Sequence, residues 1–151
     1  MKNLEKGLSL AIEAIMDELE NTYGRDRAKE IVYKAGYNLG MKEGKKLKDK
    51  AHTPENAVNI LLDSIFSFYE TSVAEVIKRE KGVEIAIRVK KCAFRRVLED
   101  LGCTTPGVIC RFMMGFIEGA LNTMTGMKTK HRVYTSSISN MCVGSISLSK
   151  K

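Results

Sequence analysis

An α+β fold, an antiparallel four-stranded twisted sheet with helices packed on one face, follows from three observations in this 151-residue chain. Apolar residues recur at three- and four-residue steps up to about Glu70. The period then switches to strict alternation, and the helix-then-alternation sequence repeats in the second half. The strands arrive in adjacent pairs, which gives hairpins and antiparallel pairing in the order ααα-ββ-αα-ββ. The length suits one core, so residues 1–151 are read as a single domain.

The first helix is carried by Leu4, Leu8, Ile12, Ile15 and Leu19 on one face, with Gly24 at its end. The second runs from about Asp26 to Lys48, with Ala28, Ile31, Val32, Ala35 and Leu39 as its apolar face. It also holds Gly36, Gly40 and Gly44 on one stripe. Each glycine costs about 1 kcal/mol against alanine in a helix interior, so a neighbouring backbone or a ligand is expected to pass close there. Thr53-Pro54-Glu55 opens the third helix with a hydroxyl cap, a proline in the first turn and an acid favourable to the dipole. Ala57, Ile60, Leu61, Ile65 and Phe68 form its buried stripe.

Residues 73–78 give a weak strand signal. After the turn Glu80-Lys81-Gly82 it becomes strong, because Val83, Ile85, Ile87 and Val89 alternate with Glu84, Ala86, Arg88 and Lys90. Phe94, Val97, Leu98 and Leu101 restore helical spacing, stopped at Gly102. Thr105 and Pro106 read as the cap and first residue of the next helix, which ends at Gly126. The tail is a second hairpin: Lys128–Ser136, a turn at Ser139-Asn140, then alternation over Cys142–Ser149.

The penultimate helix–strand boundary is preceded by the most apolar run of the chain, GVICRFMMGFIEGALNTMTG at 107–126. Gly115 and Gly119 share one stripe of that helix with Arg111. Small residues four apart admit another helix backbone, or leave room for a ligand against a wall of Phe112, Met113, Met114 and Phe116. Glu118 within it either faces water, pairs with Arg111 or Arg132, or serves as a buried acid or base. His52 and His131 are expected to be exposed.

The formal charge is +7, concentrated in Lys42–Lys50 and Arg88–Arg96. Both runs read as solvated surface, and no aromatic residues interleave with the first, so nucleic acid is not the expected partner. The N-terminus lacks a secretory pattern and Arg111 and Glu118 interrupt the apolar run, which favours a cytoplasmic protein without a membrane span. In that setting Cys92, Cys103, Cys110 and Cys142 pack or bind metal rather than cross-link. No Gly-rich phosphate loop and no nicotinamide or flavin fingerprint is present, and no catalytic residue emerges.

The segments GYNLGMKEG at 36–44, FRRVLEDLG at 94–102 and VICRFMMGFIEGALNTMTG at 108–126, followed by a terminal β-hairpin, resemble the 4-vinyl-reductase domain family. Its members are described as hydrocarbon-binding, and its fold is similar to that of TRAPP trafficking subunits. The resemblance implies a homodimer with an apolar pocket between helices and sheet. Gly36, Gly40, Phe112, Met113, Phe116, Gly115 and Gly119 are then the ligand-binding candidates. It also implies zinc held by cysteines and an acid, with Cys110 matching one ligand at the start of the glycine-bearing helix. Cys142 lies near a second ligand position. The penultimate strand, KTKHRVYTSS, lacks the acid and cysteine of relatives, and Cys103 or His131 would have to substitute. The expected function is non-catalytic binding of a small hydrophobic ligand (hydrocarbon, aromatic or tetrapyrrole-like), in the manner of a sensor module. The alternatives are a reductase of a tetrapyrrole vinyl group, drawing on an external electron source, and a protein-interaction module.

Overall fold

The computed structural model describes residues 2–100, 107–135 and 142–151. Five helices and four strands are described: α1 (Lys2–Tyr23), α2 (Arg25–Leu47), α3 (Pro54–Ser64), β1 (Tyr69–Arg79), β2 (Gly82–Cys92), α4 (Ala93–Asp100), α5 (Cys110–Thr125), β3 (Lys128–Thr135) and β4 (Cys142–Ser149). A single 3-10 turn, Lys48–Lys50, follows α2. The four strands form one antiparallel sheet in the order β1-β2-β4-β3.

The alternation of β2 sets the architecture. Val83, Ile85, Ile87 and Val89 are buried, while Arg88 and Lys90 are exposed. Ile146 and Leu148 of β4 pair with Ile85 and Val83 and extend the same inner face. Against it lie Met113, Phe116, Ile117, Ala120, Leu121 and Met124 of α5, with Ala57, Val58, Leu61 and Leu62 of α3. Thr53 Oγ1 accepts from Asn56 N at 3.1 Å and caps α3, as the sequence predicts. Gly126 ends α5 at φ 69°, in the left-handed region that glycine enters without a Cβ penalty.

Several element-level expectations are corrected. The buried stripe of α2 is Ala28, Val32, Gly36, Gly40 and Gly44, whereas Ala35 and Leu39 are exposed. The glycines are therefore the packing face. Phe68 lies past the end of α3 and is 39% exposed. Helix α5 begins at Cys110 after a turn at 108–109, not at Pro106. Gly102, Thr105, Pro106 and the Ser139-Asn140 turn lie outside the described residues. Strand β1 lacks alternation because residues 73–79 are exposed and its pairing with β2 shifts register at Glu70/Thr71 and Val73/Glu75. Among the described residues, no helix is long and apolar enough to cross a membrane.

Candidate functional site at the N-terminal end of α5

Helices α2 and α5 run parallel, because the glycines of one meet successive turns of the other in matching order. A Cβ on Gly36, Gly40 or Gly44 would press on Phe112 O, Phe116 O or Ala120 O respectively. At Gly44 the separation would be 2.6 Å, and at the other two it would be shorter still. Reciprocally, Gly115 and Gly119 face Tyr33 O and Tyr37 O. The five glycines form one seam in which main chain touches main chain. The notches are thus taken up by helix backbone. Gly36, Gly40, Gly115 and Gly119 hold α5 against α2.

The inner side of α5 departs from that seam. Met113 and Phe116 are buried against the sheet, and Phe112 is half-buried where the main core meets a second cluster of Ala28, Val32 and Val108. The Phe112 ring stands 5.1 Å from Phe94 of α4, in a tilted arrangement. Half-buried Cys92 and Cys142 pack on the same edge of the core, where Tyr69 lies fully inside. Cys110 opens α5 and is also half-buried.

Chain termini of elements converge here. Cys92 ends β2 opposite Tyr69 of β1, Cys142 begins β4 opposite Val89, and Arg95 follows from the first turn of α4. Arg95 Nη1 donates to Cys142 Sγ at 3.5 Å, and Arg95 Nε pairs with Glu99 Oε1 at 3.1 Å. Burial raises the Cys92 and Cys110 thiols above their ordinary range. Burial, and then the neighbouring Cys92, Cys142 and Cys110, holds the Tyr69 hydroxyl firmly protonated. Cys92, Cys110 and Tyr69 therefore stay neutral near pH 7, beside the charged guanidinium of Arg95.

Sequence reasoning placed Cys110 and Cys142 near each other but missed Cys92, Tyr69, Phe94 and Arg95. The strict alternation of β2 assigns Cys92 to the solvent side. The register shift at Glu70/Thr71 and the direct entry into α4 bring it against the core instead. Cys103 lies outside the described residues, and among the described residues no three His, Cys, Asp or Glu side chains are placed to hold a metal ion. The described thiols thus do not fit a zinc site by themselves.

A polar network crosses the helix layer beside this rim. Tyr33 OH of α2 donates to Glu118 Oε2 of α5, and Glu118 Oε1 accepts from His131 N of β3 at 2.8 Å. His131 is 1% exposed, which overturns the expectation of an exposed histidine. The Ser145 carbonyl only accepts, so its 3.2 Å contact places the proton on His131 Nδ1. Nε2 then accepts from Tyr69 OH at 3.3 Å. Burial lowers His131 to about 4, outweighing the contact with Ser145. Glu118 is half-buried and, among the described residues, pairs with neither Arg111 nor Arg132; it fastens α2 and β3 to α5.

The family model described as L-2-amino-thiazoline-4-carboxylic acid hydrolase matches residues 4–132. No curated protein matches the sequence. Among solved structures, the fold is similar to the phenol-responsive sensory domain of the transcription activator PoxR with phenol. That likeness has a TM-score of 0.72 at 16% identity and covers 93% of this chain and 74% of that one. It is also similar to a trafficking protein particle complex subunit 3 from Naegleria fowleri covalently bound to palmitic acid, with a TM-score of 0.68 at 14% identity over 99% of this chain and 98% of that one.

Proposed function

The chain belongs to the L-2-amino-thiazoline-4-carboxylic acid hydrolase family, a 4-vinyl-reductase-like family, and on that premise we propose that it binds a small hydrophobic ligand at the N-terminal end of α5, between helices and sheet. The observation that carries this reading is the half-buried rim of Phe94, Phe112, Cys92, Cys110 and Cys142 over the floor formed by Tyr69. Its aromatic and sulfur atoms are polarizable, which suits an apolar guest of aromatic, hydrocarbon or tetrapyrrole-like shape. Met113 and Phe116 back that wall from the core, and the glycine seam fixes its position. Two proteins of the same fold, a phenol-bound sensory domain and a palmitate-bound subunit, hold ligands of this chemical class, and support the reading by analogy.

Native mass spectrometry of the purified protein, and displacement of an apolar fluorescent dye by phenol or palmitate, test it. Saturable displacement that weakens about tenfold in Phe112→Ala, equivalent to ~1.4 kcal/mol, is the expected result. No bound species and no displacement by any apolar competitor would overturn it.

The family description names a hydrolase, and a ring-opening assay with 2-aminothiazoline-4-carboxylate separates that reading from binding alone. The protonated state of Cys92 and Cys110 and the sequestered, neutral His131 favour the binder. The described thiols, Cys92, Cys110 and Cys142, are free, which suits a reducing, cytoplasmic setting. A homodimer formed through α1 completes the proposal, because that helix exposes Leu4, Leu8 and Ile15.

A further inference from the structure

The outer face of the sheet joins Arg88 and Lys90 of the second basic run to charge on β3 that lies outside both runs. Lys128, Lys130, Arg132 and Tyr134 alternate with the inward residues of β3 and are all exposed, Tyr134 to 58%. Pairing sets them beside β4: Lys128 opposite Ser149, Lys130 opposite Ser147, Arg132 opposite Ser145 and Tyr134 opposite Val143. Beyond β4, Ser147 faces Glu84, Ser145 faces Ala86 and Val143 faces Arg88 of β2, where exposed Lys90 continues the same side. Among the described residues none of Arg88, Lys90, Lys128, Lys130 and Arg132 forms an ion pair. The acids on that face are Glu75, Glu84, which Arg79 engages at 3.1 Å, and Glu70, which Lys91 meets at 3.6 Å.

We propose that this face binds single-stranded nucleic acid along β4, with the phosphates on the β3 cations and a base on Tyr134. The three β3 cations stand about 6.8 Å apart at ~3.4 Å per residue, a repeat suited to the phosphates of an extended strand. The floor between β2 and β3 is a lane roughly 9.6 Å wide, about two strand spacings of ~4.8 Å. It is paved mainly by serine hydroxyls and Ala86, which admit a backbone closely and can donate to phosphate oxygens. Tyr134 at one end offers a ring for stacking, which an unpaired base can reach and a paired one cannot. Val143 is the large apolar side chain on the lane, so the face lacks the apolar cluster that insertion into a lipid surface requires.

The test is fluorescence anisotropy with a labelled ten-residue oligouridylate, its deoxy counterpart and a duplex of the same length. If the three β3 cations each engage one phosphate, affinity for the single strand falls about 18-fold between 50 and 200 mM salt, from a slope of ~0.7 per phosphate. Lys130→Ala with Arg132→Ala leaves about a third of that slope, so the loss shrinks to about threefold. Tyr134→Ala weakens binding about fivefold or more without changing the slope. All three positions are exposed, and thermal melting confirms that the variants stay folded. No binding at 50 mM salt overturns the proposal. So does binding that these variants leave intact, which would assign it to Lys42–Lys50, and so does capture by phosphatidylserine vesicles without binding to the oligonucleotide.

Discussion

His131 shows how one residue couples burial to pH. Its ring sits between Tyr69 OH and Ser145 O, and its main-chain N–H is held by Glu118. Folding lowers its pKa from the ordinary 6.5 to about 4. Above pH 6.5 both folded and unfolded chains carry it neutral, so it contributes no pH dependence there. As pH falls through 6.5 the unfolded chain takes up a proton that the folded chain refuses, and stability drops until about pH 4. With ~1.36 kcal/mol per pKa unit, the loss between pH 7 and pH 4.5 is about 2.4 kcal/mol. Urea unfolding at the two pH values should show this decrement, and His131→Gln should remove most of it. An unchanged decrement in the variant would place the acid sensitivity in the carboxylates. The sequence shows His131 only as an alternating member of KTKHRVYTSS. Its neighbours in the parity are Thr129 and Val133, too weak a signal to mark the inner face.

At the scale of the element, the α2–α5 seam was legible in part. The stripe Gly36, Gly40, Gly44 and the pair Gly115, Gly119 announce close approach, and their cost in helix propensity excludes indifference. What passes close is not written in either stripe, since a ligand and a helix ask for the same missing Cβ. Only the parallel docking, with Gly36, Gly40 and Gly44 each against a carbonyl of α5, decides it. Gly40→Ala and Gly115→Ala would drive a methyl into Phe116 O and Tyr33 O, atoms fixed by their own helices. Overpacking of this kind costs about 1–3 kcal/mol or more, and a melting temperature lower by roughly 5–10 °C is expected. Gly7 of α1 has nothing within 4 Å of its would-be Cβ, so Gly7→Ala should stabilise by up to ~1 kcal/mol. Calorimetry of the three variants checks both signs. The strands were legible for a different reason: in β2 and β4 a period of two survives because one face is buried. In β1 the exposed residues 73–79 and two register shifts erase it.

For the whole molecule, the helix with the clearest periodicity is the one whose stripe remains uncovered. Leu4, Leu8 and Ile15 of α1 are 69%, 58% and 58% exposed, while Ile12 and Leu19 are half-buried. Helix α1 touches α2 and α4, and Met16 and Leu19 cover the small cluster of Ala28, Val32 and Val108. The rest of its apolar face points away from that cluster. Leu4, Leu8 and Ile15 leave an apolar patch about three turns long in water, and a second copy of α1 matches it in length and chemistry. The proposed homodimer thus explains why the stripe is so regular although this chain does not bury it. Sedimentation equilibrium should give twice the 16.9 kDa chain mass at micromolar concentration. Leu8→Lys with Ile15→Lys should return the chain mass. Because both side chains are exposed within one chain, the double variant should keep its far-UV circular dichroism while becoming monomeric. A wild-type protein that sediments at the chain mass at every concentration would leave α1 exposed in solution and remove the dimer from the proposal.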